Sequence, residues 1–279
     1  MKFTKMHGCG NDYIYVDGSL EKIDPADKPR LAKKLSDRHF GVGGDGVIFI
    51  NPSEEADFEM EMYNADGSRA EMCGNGIRCV AKYVYDKGLT EKKKISIASA
   101  GKVKELKLAI QDKKVIFVKV NMGAPEFLAE KIVVRSAHER VINEPITLLG
   151  EEYRMTCVSM GNPHAVLFLE NWDGIAVEKL GYALENHDLF PNRTNVEFVK
   201  VIDRSTIEMR VWERGTGETL ACGTGACAAA AACMVNGLTD EQVTVKLLGG
   251  DLEIFWDRNQ NQMFMTGPAE FVFEGEIAV

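Results

Sequence analysis

CGNGIRCVAKYVYDKG, residues 73–88, and CGTGACAAAAACMVNG, residues 222–237, share one pattern. Each places a cysteine before a Gly-X-Gly turn, continues for a helix-length run, and closes on a glycine. The two stretches are 149 residues apart throughout. The pattern predicts helices over 74–87 and 223–236, with Gly88 and Gly237 taking the left-handed turn that ends a helix. Residues 225–235 carry no charge at all, and a helix apolar on every side belongs inside a core.

The correspondence extends outward. FEMEMYN (58–64) matches IEMRVWE (207–213), and Gly46-VIFI matches Asn195-VEFV, both at the offset of 149. Gly10-Asn11 matches Gly161-Asn162 at an offset of 151. Several landmarks in nearly fixed register point to two halves of one architecture. Alternation predicts strands at 12–17, 46–50, 57–63, 103–110 and 115–121, then at 152–160, 164–169, 195–202, 206–212, 242–248, 251–256 and 262–266. The N-terminal stretch reads as a short strand, a glycine turn and a second strand. A helix is expected from Pro25 to about Arg38, with Asp24 as N-cap and Pro25 at its first position. Gly123-Ala124-Pro125 marks a boundary between halves. Residues 126–150 have no counterpart in the first half. The expected fold class is α/β (α+β), with two pseudo-symmetric domains. Each is a mixed or antiparallel, barrel-like sheet wrapped around a central helix.

Composition limits the function. The chain has 279 residues, 45% apolar and 27% charged, with a net charge of −9. That is enough apolar residue for large cores without covalent staples. The longest basic cluster is Lys92-Lys93-Lys94, which argues against a nucleic-acid partner. No apolar run is long enough for a membrane span, and the N-terminus lacks the apolar segment of a secretory signal. Seven cysteines, an odd number, fit free thiols in a reducing compartment.

Cys73 and Cys222 each stand at the N-terminal end of a helix expected to be buried. There the helix dipole and unpaired N–H groups favour a thiolate. A single such cysteine is more often a small core hydrophobe; the duplicated setting turns the reading toward function. Gly74-Asn75-Gly76 and Gly223-Thr224-Gly225 supply N–H groups suited to a carboxylate or phosphate. Cys79, Cys157, Cys227 and Cys233 read as core, and Cys9 is undecided. Gly41-Val-Gly43-Gly-Asp-Gly46 has G-x-G-x-x-G spacing but opens a strand rather than a helix, so it is a turn and not a dinucleotide site. The cysteine spacings fit no zinc site.

His164 follows a turn and begins a strand, where a histidine is usually structural, although beside a thiol it could act as a base. Glu213-Arg214 reads as a surface ion pair or as a zwitterion clamp, with Glu for an ammonium and Arg for a carboxylate. Asn11, Asn64, Asn162 and Asn195 all fall at strand–loop junctions, where asparagine often only caps a turn.

Two thiols facing each other could remove a proton from one side of a carbon and return one to the other, inverting the centre. One would start as thiolate and the other as thiol. The scheme requires no metal and no pyridoxal lysine.

At HGCGNDYIYVD, HFGVGGDG, NADGSRAEMCGNGIRC, GNPH, NRTNVEFV and WERGTGETLACGTGACA, the chain resembles the diaminopimelate epimerases over essentially its whole length. The resemblance implies interconversion of LL- and meso-diaminopimelate in lysine and cell-wall precursor synthesis. It further implies no cofactor, no metal and a cytoplasmic homodimer. It assigns the catalytic roles to Cys73, Cys222, His164 and Glu213. Substrate contacts fall on Asn11, Asn64, Gly74, Asn75, Asn162, Asn195, Glu213, Arg214, Gly223 and Thr224. Residues 268–279 are expected to return to the first domain, giving domains of 1–122 plus 268–279 and 123–267. Some family members carry Gln where this chain has Gly46, so that contact is not carried over. The alternatives are a proline racemase-like enzyme, a redox protein switching a Cys73–Cys222 disulfide, and an amino-acid binding module.

Overall fold

A computed structural model describes residues 1–70 and 73–278. Glu71 and Met72, within the NADGSRAEMCGNGIRC motif, and Val279 lie outside the described residues. The chain divides into two compact units, residues 1–121 with 266–279, and residues 122–265.

The first unit contains β1 (Lys2–Gly8), β2 (Asn11–Asp17), α1 (Lys28–Ser36), β3 (Gly46–Asn51), β4 (Phe58–Asn64), β5 (Arg69–Ala70), α2 (Gly74–Asp86), β6 (Lys94–Ser99), β7 (Lys102–Gln111) and β8 (Lys114–Gly123). The second contains α3 (Ala129–Ile132), β9 (Glu144–Leu148), β10 (Glu151–Ser159), β11 (Pro163–Leu169), α4 (Val177–Glu185), β12 (Asn195–Asp203), β13 (Thr206–Glu213), β14 (Gly217–Thr219), α5 (Gly223–Val235), β15 (Gln242–Leu247), β16 (Gly250–Asp257) and β17 (Gln262–Gly267). The chain then re-enters the first unit as β18 (Glu270–Glu276), antiparallel to β1.

The second unit repeats the element order and pairing of the first. β1–β2 and β10–β11 are antiparallel, and β2–β3 and β11–β12 are parallel. β3–β4 and β12–β13 are antiparallel, and β4–β6 and β13–β15 are parallel. The register is also shared. Val47 opposes Tyr63 and Val196 opposes Trp212; Met62 opposes Ala70 and Val211 opposes Thr219. The two pseudo-symmetric domains with helix-wrapping mixed sheets are therefore present.

The central helices are buried as their sequences predict. From Gly223 to Met234 only Thr224 on α5 escapes full burial, and the helix packs against β10, β11, β12, β13, β15 and β16. Alanine side chains let these strands approach closely. In the first unit α2 packs against β1, β2 and β7 and is buried from Gly74 to Val84. Its Lys82 reaches Asp86 at 2.9 Å and the carbonyl of Val115 at 2.5 Å, so its charge is paired. Gly88 and Gly237 have φ of +74° and +70°, which supports the reading of both helix ends.

Four features depart from expectation. The first helix begins at Lys28, not Pro25, because Asp24 forms a turn of its own: it accepts from Ala26 N–H at 2.9 Å through its side chain and from Asp27 N–H at 2.9 Å through its carbonyl. Pro29 occupies the helix entry instead, and the helix stops at Ser36 where Asp37 turns extended. Helix α4 is absent from the sequence reading. β6 and the short strands β5 and β14 are likewise absent from it. Finally, 126–150 folds over the second unit: Ile132, Val134, Val141, Ile146 and Leu148 join α4's Val177, Leu180 and Leu184 in one core.

Candidate active site

Cys73 is the N-cap of α2, and its Sγ accepts from Gly76 N–H at 3.2 Å. Cys222 is the N-cap of α5, and its Sγ accepts from Gly225 N–H at 3.4 Å. Their backbones nearly coincide, with φ −130° and ψ 115° for Cys73, φ −123° and ψ 115° for Cys222. Sulfur here takes the place of the Ser, Thr or Asp oxygen that usually caps a helix. A side chain three residues on would displace a neighbouring side chain. A Cβ on Gly76 would stand 2.7 Å from Ile48 Cδ1, and one on Gly225 would stand 2.7 Å from Glu197 Oε1. Within each first turn, Gly74 and Asn75, or Gly223 and Thr224, carry N–H groups that have no acceptor inside the helix.

In the first unit, Asn11 brings the strand end to the thiol. Its Oδ1 accepts from Cys73 Sγ at 3.2 Å and from Asn75 Nδ2 at 3.3 Å, while its Nδ2 donates to Asp45 at 2.7 Å. Arg38 joins Asp45 to Asp12 at 2.8 and 2.7 Å, and Lys5 meets Asp12 at 2.5 Å. Asn64 is not drawn into this group; its amide bonds Ser68 Oγ at 3.0 Å. Gly46 begins β3 opposite Asn64, and a Cβ there would overlap the carbonyl of Tyr63. The backbone thus admits no glutamine at that position without moving.

The Asp12 cluster gives a pH prediction. Burial raises the Asp12 pKa, but Arg38 and Lys5 outweigh it and hold the carboxyl below its ordinary value. Its contribution to stability is complete above the unfolded pKa and is lost as pH falls through the depressed folded value. Arg38→Met is therefore expected to flatten the loss of stability below about pH 4, read as the urea midpoint against pH. An unchanged slope would remove Asp12 from the acid response.

In the second unit, Asn162, His164, Thr224, Glu213 and Cys222 come together. His164 and Glu197 are both fully buried and meet Nδ1 to Oε1 at 2.7 Å. The other ring nitrogen faces Asn162 Oδ1 at 3.0 Å, and Asn162 Nδ2 reaches Thr224 Oγ1 at 3.4 Å. Thr224 Oγ1 lies 3.5 Å from Cys222 Sγ. Glu213 accepts from Thr219 Oγ1 at 2.5 Å, and its charge acts on Cys222. Asn195 and Arg214 make a neighbouring contact. Asn195 Oδ1 accepts the Arg214 N–H at 2.9 Å, its Nδ2 binds Pro163 O at 2.9 Å, and the guanidinium reaches Asn192 O at 3.0 Å.

The electrostatics correct one expectation. The helix position was expected to lower both thiol pKa values. For Cys222 the reverse holds: burial, then the charges of Glu213 and Glu197, push it well up, against the opposing bonds from Thr224 and Gly225. Burial likewise pushes Glu213 up. The other cysteines are as read: Cys79, Cys157, Cys227 and Cys233 are buried. Burial holds Cys79 and Cys233 at about 12, so both stay protonated. Cys9, also buried, takes a φ of +53° in the turn before Asn11.

Sequence reasoning missed Glu197, Asp45 and Thr219. Glu197 reads in the run VEFV as the solvent face of an alternating strand, so its sequence gives no signal for a buried carboxylate. Asp45 and Thr219 have no signal beyond their loops. Among the described residues, no group of three or more His, Cys, Asp or Glu could hold a metal ion, and no helix is long and apolar enough to cross a membrane.

The sequence profile named for diaminopimelate epimerase matches residues 3–128 and 156–272. The chain belongs to the diaminopimelate epimerase family. A diaminopimelate epimerase of Acetivibrio thermocellus is 56% identical over 99% of this chain and 98% of its own. One from Methanococcus maripaludis is 55% identical over the full length of both. Like them, the chain is an epimerase, an isomerase by class. Among solved structures, a PhzF-family phenazine biosynthesis protein from Bacillus anthracis superposes with a TM-score of 0.73 at 19% identity, covering 100% of this chain and 99% of that one. A probable proline racemase from Agrobacterium radiobacter gives 0.69 at 15% identity, over 100% and 93%. These two share the fold. Family membership of the sequence separates this diaminopimelate epimerase relative from the racemase alternative.

Proposed function

We propose that this chain interconverts LL- and meso-diaminopimelate by two-base proton transfer, with Cys73 and Cys222 as the two bases. The observation that carries the assignment is the same thiol-capped helix built twice, with an asparagine strand end at each. In one direction, Cys222 as thiolate takes the α-hydrogen: the C–H bond breaks and an S–H bond forms. The electron pair left on carbon spreads onto the substrate carboxylate, which the first-turn N–H groups of a helix stabilise. Cys73 as thiol then gives its proton to the opposite face, and its S–H bond breaks as the new C–H bond forms. The reverse reaction exchanges the roles.

Glu213 stands beside Cys222. After burial, its charge together with that of Glu197 holds the proton on the sulfur of the free protein, and burial has raised the carboxyl's own affinity for a proton. Glu213 is thus the group that receives the Cys222 proton when that sulfur becomes the base. Thr224 O–H and Gly225 N–H point at that sulfur. Asn11, Asn64, Asn75, Asn162, Asn195 and Arg214 are assigned to the two amino-acid ends of the substrate. We further take the enzyme to work as a homodimer in the cytoplasm.

Incubation with LL-diaminopimelate in D₂O tests this. The expected result is one deuterium at one α-carbon, appearing with the meso form. Exchange of proline but not diaminopimelate would move the substrate to the racemase class. Absence of any exchange with the reduced protein would sink proton transfer altogether.

A further inference from the structure

The Asn11 amide lies between two partners of opposite demand. Asp45 is a carboxylate, an acceptor only, and it sits 2.7 Å from one end of the amide. That end is therefore the amino group. The same carboxylate oxygen accepts the backbone N–H of Asp12 at 3.2 Å, and its other oxygen holds Arg38 at 2.8 Å, so Asp45 is itself fixed. The remaining end of the amide is a carbonyl oxygen, 3.2 Å from Cys73 Sγ and 3.3 Å from Asn75 Nδ2. A carbonyl oxygen at that distance welcomes S–H and repels a thiolate.

We propose that Asp45 is a positioning residue for Cys73: by turning the Asn11 carbonyl toward the sulfur, it holds the proton on Cys73 in the substrate-free protein. The proposal rests on the reading of Cys73 as one of the two bases, and concerns the protonation of that sulfur before substrate binds. The helix end works in the other direction, since Gly76 N–H points at the same sulfur. Asp45 decides between them by denying the thiolate the amide N–H that a reversed Asn11 would offer.

Among the described residues, Tyr13 and Tyr15 on β2 and Cys79 on α2 act on this sulfur, and Arg78 on α2 and Cys9 in the adjoining turn lie next to Cys79. Burial, with Cys73 beside them, pushes both tyrosines up, so they carry no charge at neutral pH. Arg78 is a fixed cation that favours thiolate. The proposal therefore requires the amide orientation to outweigh it.

The test is the pH profile of iodoacetamide alkylation at Cys73, read by peptide mass spectrometry on the full chain without substrate, with Cys222 as internal reference. Asp45→Ala frees the amide to reverse. Its Cys73 midpoint is expected to fall by about one pH unit, with alkylation below the midpoint about tenfold faster. Asp45→Asn keeps an acceptor oxygen but no charge, and is expected to retain the wild-type midpoint. Equal shifts in both variants would mean that charge alone acts, and would overturn the proposal.

Asn11→Ala removes the carbonyl and should lower the midpoint by itself. Adding Asp45→Ala to it should then change nothing further. A further shift in the double variant would show that Asp45 does not act through Asn11. A loosened loop would raise the alkylation rate at every pH and leave the midpoint in place, which also overturns the assignment. Where Asp45→Ala fails to fold, Asp45→Asn and Asn11→Ala still decide. Because no substrate is present, these profiles stand apart from the D₂O result on which the function rests.

Discussion

Cys73→Ala and Cys222→Ala are each expected to lower kcat for inversion by about 10⁴-fold, the upper range for removing a positioned acid or base. On the two-base proposal the losses are alike, because the two transfers occur in series and each thiol serves one face of the carbon. The variants should nevertheless differ in what remains. With one thiol left, a proton can still be taken from one face and returned to it. Each variant should therefore wash deuterium from D₂O into at most one of the two diastereomers, without inverting it. Opposite choices by the two variants would assign a face to each sulfur. Each sulfur caps its helix by accepting a backbone N–H, a small part of the stability of a buried helix, so circular dichroism and thermal midpoints should change little. Inversion at a tenth of the normal rate in either variant would refute the two-base scheme.

The second large effect concerns the buried His164–Glu197 pair. His164→Ala is expected to cost about 3–5 kcal/mol in urea unfolding, because it strands a carboxylate that no water reaches. Glu197 has little reserve: its Oε2 already lacks a partner among the described residues. The double replacement His164→Ala with Glu197→Leu should cost less than the sum of the single changes, since an apolar side chain removes the stranded charge along with its partner. A single-variant cost below about 1 kcal/mol would show that water enters the pair after truncation.

Much of this was legible in the chain. Charge-free alanine over 225–235 left α5 no place except a core, and glycines at both ends of 73–88 and 222–237 bounded two equivalent helices. Register followed, because a strand packed on a central helix cannot slip by one residue without turning its apolar set outward.

The failures have physical causes. Gly181 lowers the helical signal of VEKLGYALE, yet it is there because a Cβ would stand 2.5 Å from Trp212, a contact the local sequence cannot show. Glu197 lies between Val196 and Phe198 and so reads as the solvent face of an alternating strand. β12 is instead covered on both sides, by α4 against Val196 and Phe198 and by α5 against Glu197. The expectation for the Cys222 thiol failed for a related reason: a helix dipole is visible in sequence, whereas two carboxylates brought from other strands are not. For Asn11, sequence supplied the residue, but only the position of Asp45 tells which end of its amide meets the sulfur.

The pairing of β1 with β18 has a consequence for synthesis. Lys2 lies opposite Glu276, and the N-terminal amine donates to the carbonyl of Ile277 at 2.8 Å. A ribosome makes β1 long before it makes β1's neighbour β18. The second unit is one continuous segment and can fold as it emerges, whereas the first must wait with an open sheet edge while residues 122–265 are translated. That exposed edge is a template for unwanted strand pairing. Nascent chains halted before residue 270 should therefore be the ones that engage chaperones through their N-terminal half.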